Sequence, residues 1–230
     1  MSNVVAELQG RATYFEALDA MVLADLHLGR DRTSAVELPV GERDDVPNRL
    51  AALLEESQPE TVVLAGDVLH SFDRVPTGVS GTLDRIQTIV EEHDATVVVL
   101  EGNHDTMLST ILDVPLQSSY RLDQETVATH GHVVPTVSAD RYVIGHEHPA
   151  IRIEGQRHPC ALDCPDQYDG TSVFVLPAFT RLARGTLVND LDAADSVSPM
   201  LTDLDPCRPI VHLDDGPLAF PPLADFRSLL

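Results

Sequence analysis

The stretch Thr96-Val97-Val98-Val99-Leu100-Glu101-Gly102-Asn103-His104-Asp105 decides how this chain folds. Its first half is almost purely β-branched and only five residues long, which reads as a buried strand rather than a helix. Its second half turns polar at a glycine, so the strand ends in a loop that carries reactive side chains. The same arrangement occurs twice upstream. Thr61 to Ala65 runs into Gly66-Asp67, and Ala20 to Ala24 runs into Asp25-Leu26-His27.

The segments between these strands have helical spacing. Asn48 to Ser57 places Leu50, Leu53 and Leu54 on one side, with Pro47 near its start and Pro59 beyond its end. Leu83 to Glu92 repeats the pattern through Leu83, Ile86, Ile89 and Val90. Strand, helix, strand, helix, strand predicts parallel pairing with helical crossovers. Ahead of it, Val4 to Leu8 and Arg11 to Phe15 read as two strands joined by a Gln9-Gly10 turn.

After Asp105 the pattern changes. Arg121-Leu122, Val127 to Thr129, Tyr142 to Gly145, Ala150 to Ile153 and Val173 to Leu176 read as short strands of a second, mixed or antiparallel sheet. Residues 189–207 are rich in Asp, Ser and Pro and read as a surface excursion before a last strand at Ile210 to Leu213. The chain of 230 residues suits one domain, with a motif core at 20–180 and the excursion and closing strand at 181–230.

Composition limits the surroundings more than the chemistry. No apolar run approaches the ~18 residues of a membrane span, and the N-terminus lacks a basic, then apolar, leader, so the cytoplasm is the expected compartment. There are 37 acidic against 15 basic residues, a net charge of −22, and every basic residue is Arg. Such a surface resembles proteins of salt-accumulating microbes; the alternative is an ordinary acidic protein that avoids nucleic acid. In ~1 M salt the screening length is only ~3 Å, so the charge does not exclude a DNA or RNA substrate. Cys160, Cys164 and Cys207 are expected as reduced structural thiols, with a metal shared by His158, Cys160 and Cys164 as the alternative.

Five polar motifs follow strands: Asp25-Leu26-His27, Gly66-Asp67, Gly102-Asn103-His104-Asp105, Thr129-His130-Gly131-His132 and Gly145-His146-Glu147-His148. Strand ends are where an α/β sheet presents its ligand crevice. Each motif alone is a common turn or cap. Together they would bury many polar atoms, which is costly without a shared ion. Carboxylate oxygen with imidazole nitrogen suits Mn²⁺, Fe²⁺, Zn²⁺ or Ni²⁺ better than Ca²⁺. On extended backbone, residues i and i+2 point the same way, so Asp25 with His27, and His146 with His148, are expected to converge.

The motif order D-x-H, G-D, G-N-H-D, H-G and G-H-x-H across residues 25–148 strongly resembles the calcineurin-like metallophosphoesterases. That resemblance implies an α/β fold, a four-layer α/β/β/α sandwich of two mixed sheets. It implies two divalent cations, Mn²⁺ foremost. One would be held by Asp25, His27, Asp67 and His148, the other by Asp67, Asn103, His130 and His146, with Asp67 between them. It also places the catalytic acid at His104, with Asn103 and His104 facing the substrate, and Asp105 is expected to orient or charge the His104 ring. Arg30 and Arg32 are either phosphate contacts or solvated loop residues. His70, His132 and Glu147 either support the ligands or lie on the surface.

A narrower likeness is to the SbcD-related, ICC-like branch. It rests on Ala24 to Gly29, Gly66 to Ser71, Gly145 to Ala150 and Leu176-Pro177-Ala178-Phe179. Members of that branch include DNA-ligase-associated endonucleases of the damage response. The implied activity is hydrolysis of a phosphodiester, DNA among the substrates. The alternatives are a small-molecule phosphodiesterase or monoesterase, and a metallophosphoesterase fold kept as a non-catalytic scaffold. No coiled coil, basic arm or aromatic strip identifies a protein partner.

Overall fold

A computed structural model describes residues 6–30 and 42–227. The first sheet contains β1 (Ala6–Gln9), β2 (Ala12–Phe15), β3 (Ala20–Leu23), β4 (Thr61–Ala65), β5 (Thr96–Leu100) and β6 (Leu116–Gln117), in that spatial order. β1 to β3 are antiparallel, and β3 to β6 are parallel. The crossovers are α1 (Glu42–Ser57) and α2 (Val79–Glu92), as the helical spacing predicts. α1 starts earlier than its leucine pattern, so Pro47 lies inside it rather than ahead of it.

The second sheet is built from β7 (Ser119–Arg121), β8 (Thr126–Thr129), β9 (Arg141–Ile144), β12 (Ala161–Cys164), β13 (Ser172–Val175), β15 (Arg208–Leu213) and β16 (Gly216–Ala219). Its β8, β9 and β13 run parallel, and its other pairings are antiparallel. The expected strand Ala150 to Ile153 belongs elsewhere. It is β10 (Pro149–Ile153), which with β11 (Gln156–Pro159) and β14 (Thr186–Leu187) makes a small third sheet. β11, β12 and β16 carry no alternation strong enough to have been recognised as strands.

Period-two alternation decides which face each residue covers. From β4, Val62 and Leu64 meet Leu50 and Leu54 of α1 and Leu83 and Ile86 of α2. Val63 and Ala65 point the other way and meet Ala128, Val143 and Phe174 of the second sheet. Phe15 and Phe174 pack edge to face across that interface, with ring centroids 6.3 Å apart. The sheets are therefore stacked face to face with helices over the first, the expected mixed α/β sandwich.

The far side of the second sheet is covered by Ile151, Val188, Met200, Leu201, Leu204 and the short α3 (Leu223–Arg227). The 189–207 stretch is thus more than a surface excursion. Its Met200, Leu201, Leu204 and Cys207 are buried, although Asp, Ser and Pro dominate the segment and Val197 is exposed. Cys164 and Cys207 also depart from expectation, because they form a disulfide while Cys160 stays free and buried. They are the next cross-strand pair after Asp163 and Arg208 in the β12–β15 register, a proximity that sequence spacing does not reveal. Among the described residues, no helix is long and apolar enough to cross a membrane.

Candidate metal centre

β3, β4 and β5 of one sheet and β8 and β9 of the other deliver their C-terminal ends to one place. All five motifs lie there. The loops are stitched by backbone hydrogen bonds: Asp25 N to Gly66 O (3.0 Å), His27 N to Asp67 O (2.9 Å) and Gly145 N to His130 O (3.1 Å).

Close approach dictates the glycines. A Cβ on Gly102 would stand 2.2 Å from the Asp67 carboxylate, and one on Gly145 would stand 2.7 Å from that of Asp25. Neither neighbour can yield, since each is held in the buried cluster.

The ligand backbone is not extended, contrary to the i, i+2 expectation. Asp25, His27, Asp67, His146 and His148 all have positive φ, between 46° and 66°. Asp and His tolerate this left-handed region better than most residues, yet each instance costs on the order of 1–3 kcal/mol. Strain concentrated at one spot must be sustained by its surroundings. It also turns His146 and His148 apart.

Consequently the side chains form two groups, each with donor atoms within 4.8 Å of one another: Asp25, His27 and His148, and Asp67, His130 and His146. In the first, His148 Nε2 is 3.1 Å from Asp25 Oδ1 and 3.3 Å from His27 Nε2. In the second, His130 Nε2 is 3.3 Å from Asp67 Oδ1 and 3.2 Å from Asn103 Oδ1. Asp67 reaches towards the first group too, its Oδ2 lying 3.9 Å from His27 Nε2.

These separations suit divalent ions. Ligand atoms about 2.1 Å from a tetrahedral ion are about 3.4 Å from each other. Two imidazole nitrogens facing at 3.3 Å, as in His27 and His148, make one hydrogen bond at best but form a natural edge of such a tetrahedron. His130 is oriented for ligation, because its Nδ1 donates to Ala65 O at 3.0 Å and leaves Nε2 facing inward.

The electrostatics of the protein alone are polarised. Burial opposes charge on His130, but its hydrogen bond to Asp67 and the nearby Asp25 and Asp67 charges outweigh that and raise its pKa to about 9. Burial would likewise raise Asp67, yet His130 holds its carboxyl far below the usual range. Burial lowers His27 to about 4, and burial with the neighbouring His130 lowers His146 to about 4. Burial also opposes charge on His148, but Asp25 raises it.

Ligation needs neutral imidazoles. Divalent-ion binding at pH 7.5 is therefore expected to release at least one proton per chain, read by calorimetry in buffers of different protonation enthalpy. The histidine share of that release should fall as pH rises through about 9, where His130 loses its proton without the ion. Proton-free binding at pH 7.5 would contradict this protonation scheme.

His104 stands at the mouth of the site, with a side chain 18% exposed and Nε2 3.7 Å from Asp67 Oδ2. Its Nδ1 bonds His70 O at 2.6 Å, and its ring stacks on Phe72 with centroids 3.8 Å apart. Asp105 does not orient that ring as expected. Its buried carboxylate accepts from the amides of Val68, Leu69 and Gly102, clamping two loops together. Burial raises its pKa. Arg30 follows the first motif and donates its backbone amide to His27 O at 3.2 Å, whereas Arg32 lies outside the described residues.

Glu147 was one of the candidate supports, but its partners and several other supporting contacts were not legible in sequence. Glu147 is buried, and its Oε2 accepts from Ser196 Oγ (2.6 Å), Val197 N (3.0 Å) and Ser198 N (3.3 Å). Ser198 Oγ continues to Gly131 O at 2.7 Å, so the 196–198 segment ties two ligand loops together. Arg11 and Arg49 donate to the carbonyls of Ala178, Phe179 and Thr180, behind Asp25. No local pattern announces such long-range partners. The alternative cluster of His158, Cys160 and Cys164 does not assemble among the described residues, and Cys164 is in the disulfide.

The model of the calcineurin-like phosphoesterases matches residues 19–148, the span that carries every one of these motifs. Among solved structures, the nuclease MPE of Pseudomonas putida is similar at 23% identity and a TM-score of 0.60, over 87% of this chain and 88% of that one. The phosphoesterase YfcE of E. coli aligns over 85% of this chain and 88% of its own, at 16% identity and a TM-score of 0.43. The first likeness bears on fold alone, and the second is too distant to support any inference. Among curated proteins, none matches the chain.

Proposed function

Since the chain belongs to the calcineurin-like phosphoesterases, a family of metal-dependent hydrolases, we propose that it hydrolyses phosphodiester bonds with two divalent ions, Mn²⁺ foremost. Asp25, His27, Asp67 and His148 would hold one ion, and Asp67, Asn103, His130 and His146 the other. The observation that carries this reading is the position of Asp67 between two clusters of metal-type donors, with His104 beside it at the mouth.

Bound there, the ions supply a water nucleophile of lowered pKa and neutralise charge on the phosphoryl oxygens. The chain's own residues do the rest. Asn103 and His104 would flank the reacting phosphate, and Arg30, which follows the first motif, would steady a second phosphate oxygen. His104 Nδ1 is engaged by the His70 carbonyl, so Nε2 is the atom that delivers a proton to the departing oxygen. Asp105 acts at a distance from the substrate, by fixing the loop on which Asn103 and His104 ride.

We read the substrate as nucleic acid on the strength of the motif likeness to the SbcD-related branch. A concentrated-salt setting, read from the absence of lysine and the net charge of −22, would remove the repulsion between this acidic surface and a polyanion.

The test compares bis-nitrophenyl phosphate, cyclic nucleotides and single- and double-stranded DNA, with Mn²⁺ in molar salt. Metal-dependent cleavage abolished by chelation is expected, with DNA among the substrates. Cleavage of cyclic nucleotides but not DNA would move the assignment to a small-molecule phosphodiesterase. No hydrolysis by fully loaded protein would leave only a scaffold.

A further inference from the structure

We infer that His27, His70 and His104 form a third, weaker cation site that takes zinc-like ions and switches the enzyme off. Their donor atoms lie within 4.8 Å of one another. The three rings adjoin one another: His27 to His70 is 5.5 Å between centroids, His27 to His104 is 5.0 Å, and His70 to His104, stacked nearly parallel, is 5.9 Å. The inference rests on the reading of His104 as the proton donor.

His70 is the informative member. The hydrolytic scheme uses only its backbone carbonyl, which holds His104 Nδ1. Its own Nδ1 is buried without a hydrogen-bond partner, and so is Nδ1 of His27. A buried polar nitrogen with no partner is costly, and most such atoms in folded proteins are satisfied. Two of them in rings that face a third imidazole point to an ion rather than to packing.

The donor set selects the ion. Three imidazoles with no carboxylate favour Zn²⁺, Ni²⁺ or Cu²⁺ and disfavour Mg²⁺, Ca²⁺ and Mn²⁺. Two neighbouring charges oppose each other here: Arg30 acts against a cation next to His70, and Asp67 acts for it. His27 is also drawn upon by the Asp25 and His148 group. Both facts make this the weakest of the three sites. With His104 Nδ1 engaged, a cation bound here takes the nitrogen that would otherwise carry the proton to the leaving group. Activating Mn²⁺ and inhibitory excess Zn²⁺ then follow from one geometry.

The test is equilibrium dialysis of the whole chain against rising free Zn²⁺, with bound metal counted by elemental analysis and hydrolysis assayed in parallel. Wild-type protein should bind two tight equivalents and then a third, weaker one whose filling coincides with loss of turnover. His70→Ala should stop at two equivalents, with its turnover at that loading serving as its own reference. It should also need at least about ten-fold more Zn²⁺ for half-inhibition, the scale of a lost supporting ligand. His70→Gln, which keeps a side chain of comparable reach, guards against a folding defect and should behave like the alanine variant. Saturation of wild type at two equivalents, or a third equivalent retained by both variants, overturns the inference and leaves the two-ion reading standing. Fewer than two equivalents in wild type would instead sink that reading as well.

Discussion

Asp67→Asn is expected to lower phosphodiester hydrolysis by about 10³-fold or more and to leave fewer than two ions bound per chain. The side chain keeps its shape, so the amide can still accept from His104 N as the carboxylate does at 2.9 Å. What disappears is the charge. Asp67 is the sole carboxylate in the group with His130 and His146, and its other oxygen faces the His27 side. Neutralising it weakens both ion positions at once. Metal participation is worth several kcal/mol of transition-state stabilisation, and ~4 kcal/mol is a factor of about 10³. His130 would also lose the partner that raises its pKa to about 9, burial of the ring being the opposing influence. Circular dichroism should show the fold intact. Retention of two ions with turnover within ten-fold of wild type would remove Asp67 from the central position.

His104→Asn separates proton delivery from ion binding. Loss of a general acid typically costs 10²–10⁴-fold, so an alkyl phosphodiester should slow by about that factor. A nitrophenyl ester should slow far less, because nitrophenolate departs without a proton. Binding of the two Mn²⁺ ions should not change, since His104 lies in neither Asp-containing group, Asp25 with His27 and His148 or Asp67 with His130 and His146. The split between the two leaving groups is the decisive readout. Equal losses for both would mean that His104 positions the site or tunes its charge.

The fold was legible where a residue's local surroundings determine its state. Thr61 to Ala65 and Thr96 to Leu100 could be little else than buried strands, and both match the structure to the residue. The alternation of strand and helix then dictates parallel pairing. Short edge strands were harder. β16 contains Gly216 and Pro217, which suppress any strand signal, and it forms through its register with β15. The burial of Met200, Leu201 and Leu204 likewise depends on a sheet face far away in sequence.

At the site, residue types and order were readable, but backbone geometry was not. Nothing in Asp25-Leu26-His27 or His146-Glu147-His148 announces left-handed φ. That conformation arises because loops from two sheets must be fitted together, as in the bond from His146 N to Asp25 Oδ2 at 3.0 Å. The same holds for Asp105. A carboxylate next in sequence to the proposed proton donor suggested a role at its ring, whereas the amides of Val68, Leu69 and Gly102 claim it. Glu147 shows the opposite case, a residue between two candidate ligands whose partners lie about fifty positions later.

Anomalous diffraction from crystals grown with Mn²⁺ tests the central claim most directly. Two peaks about 3.5–4 Å apart are predicted, with Asp67 between them, His27 and His148 on one and His130 and His146 on the other. A single peak, or manganese bound away from Asp67, would contradict it.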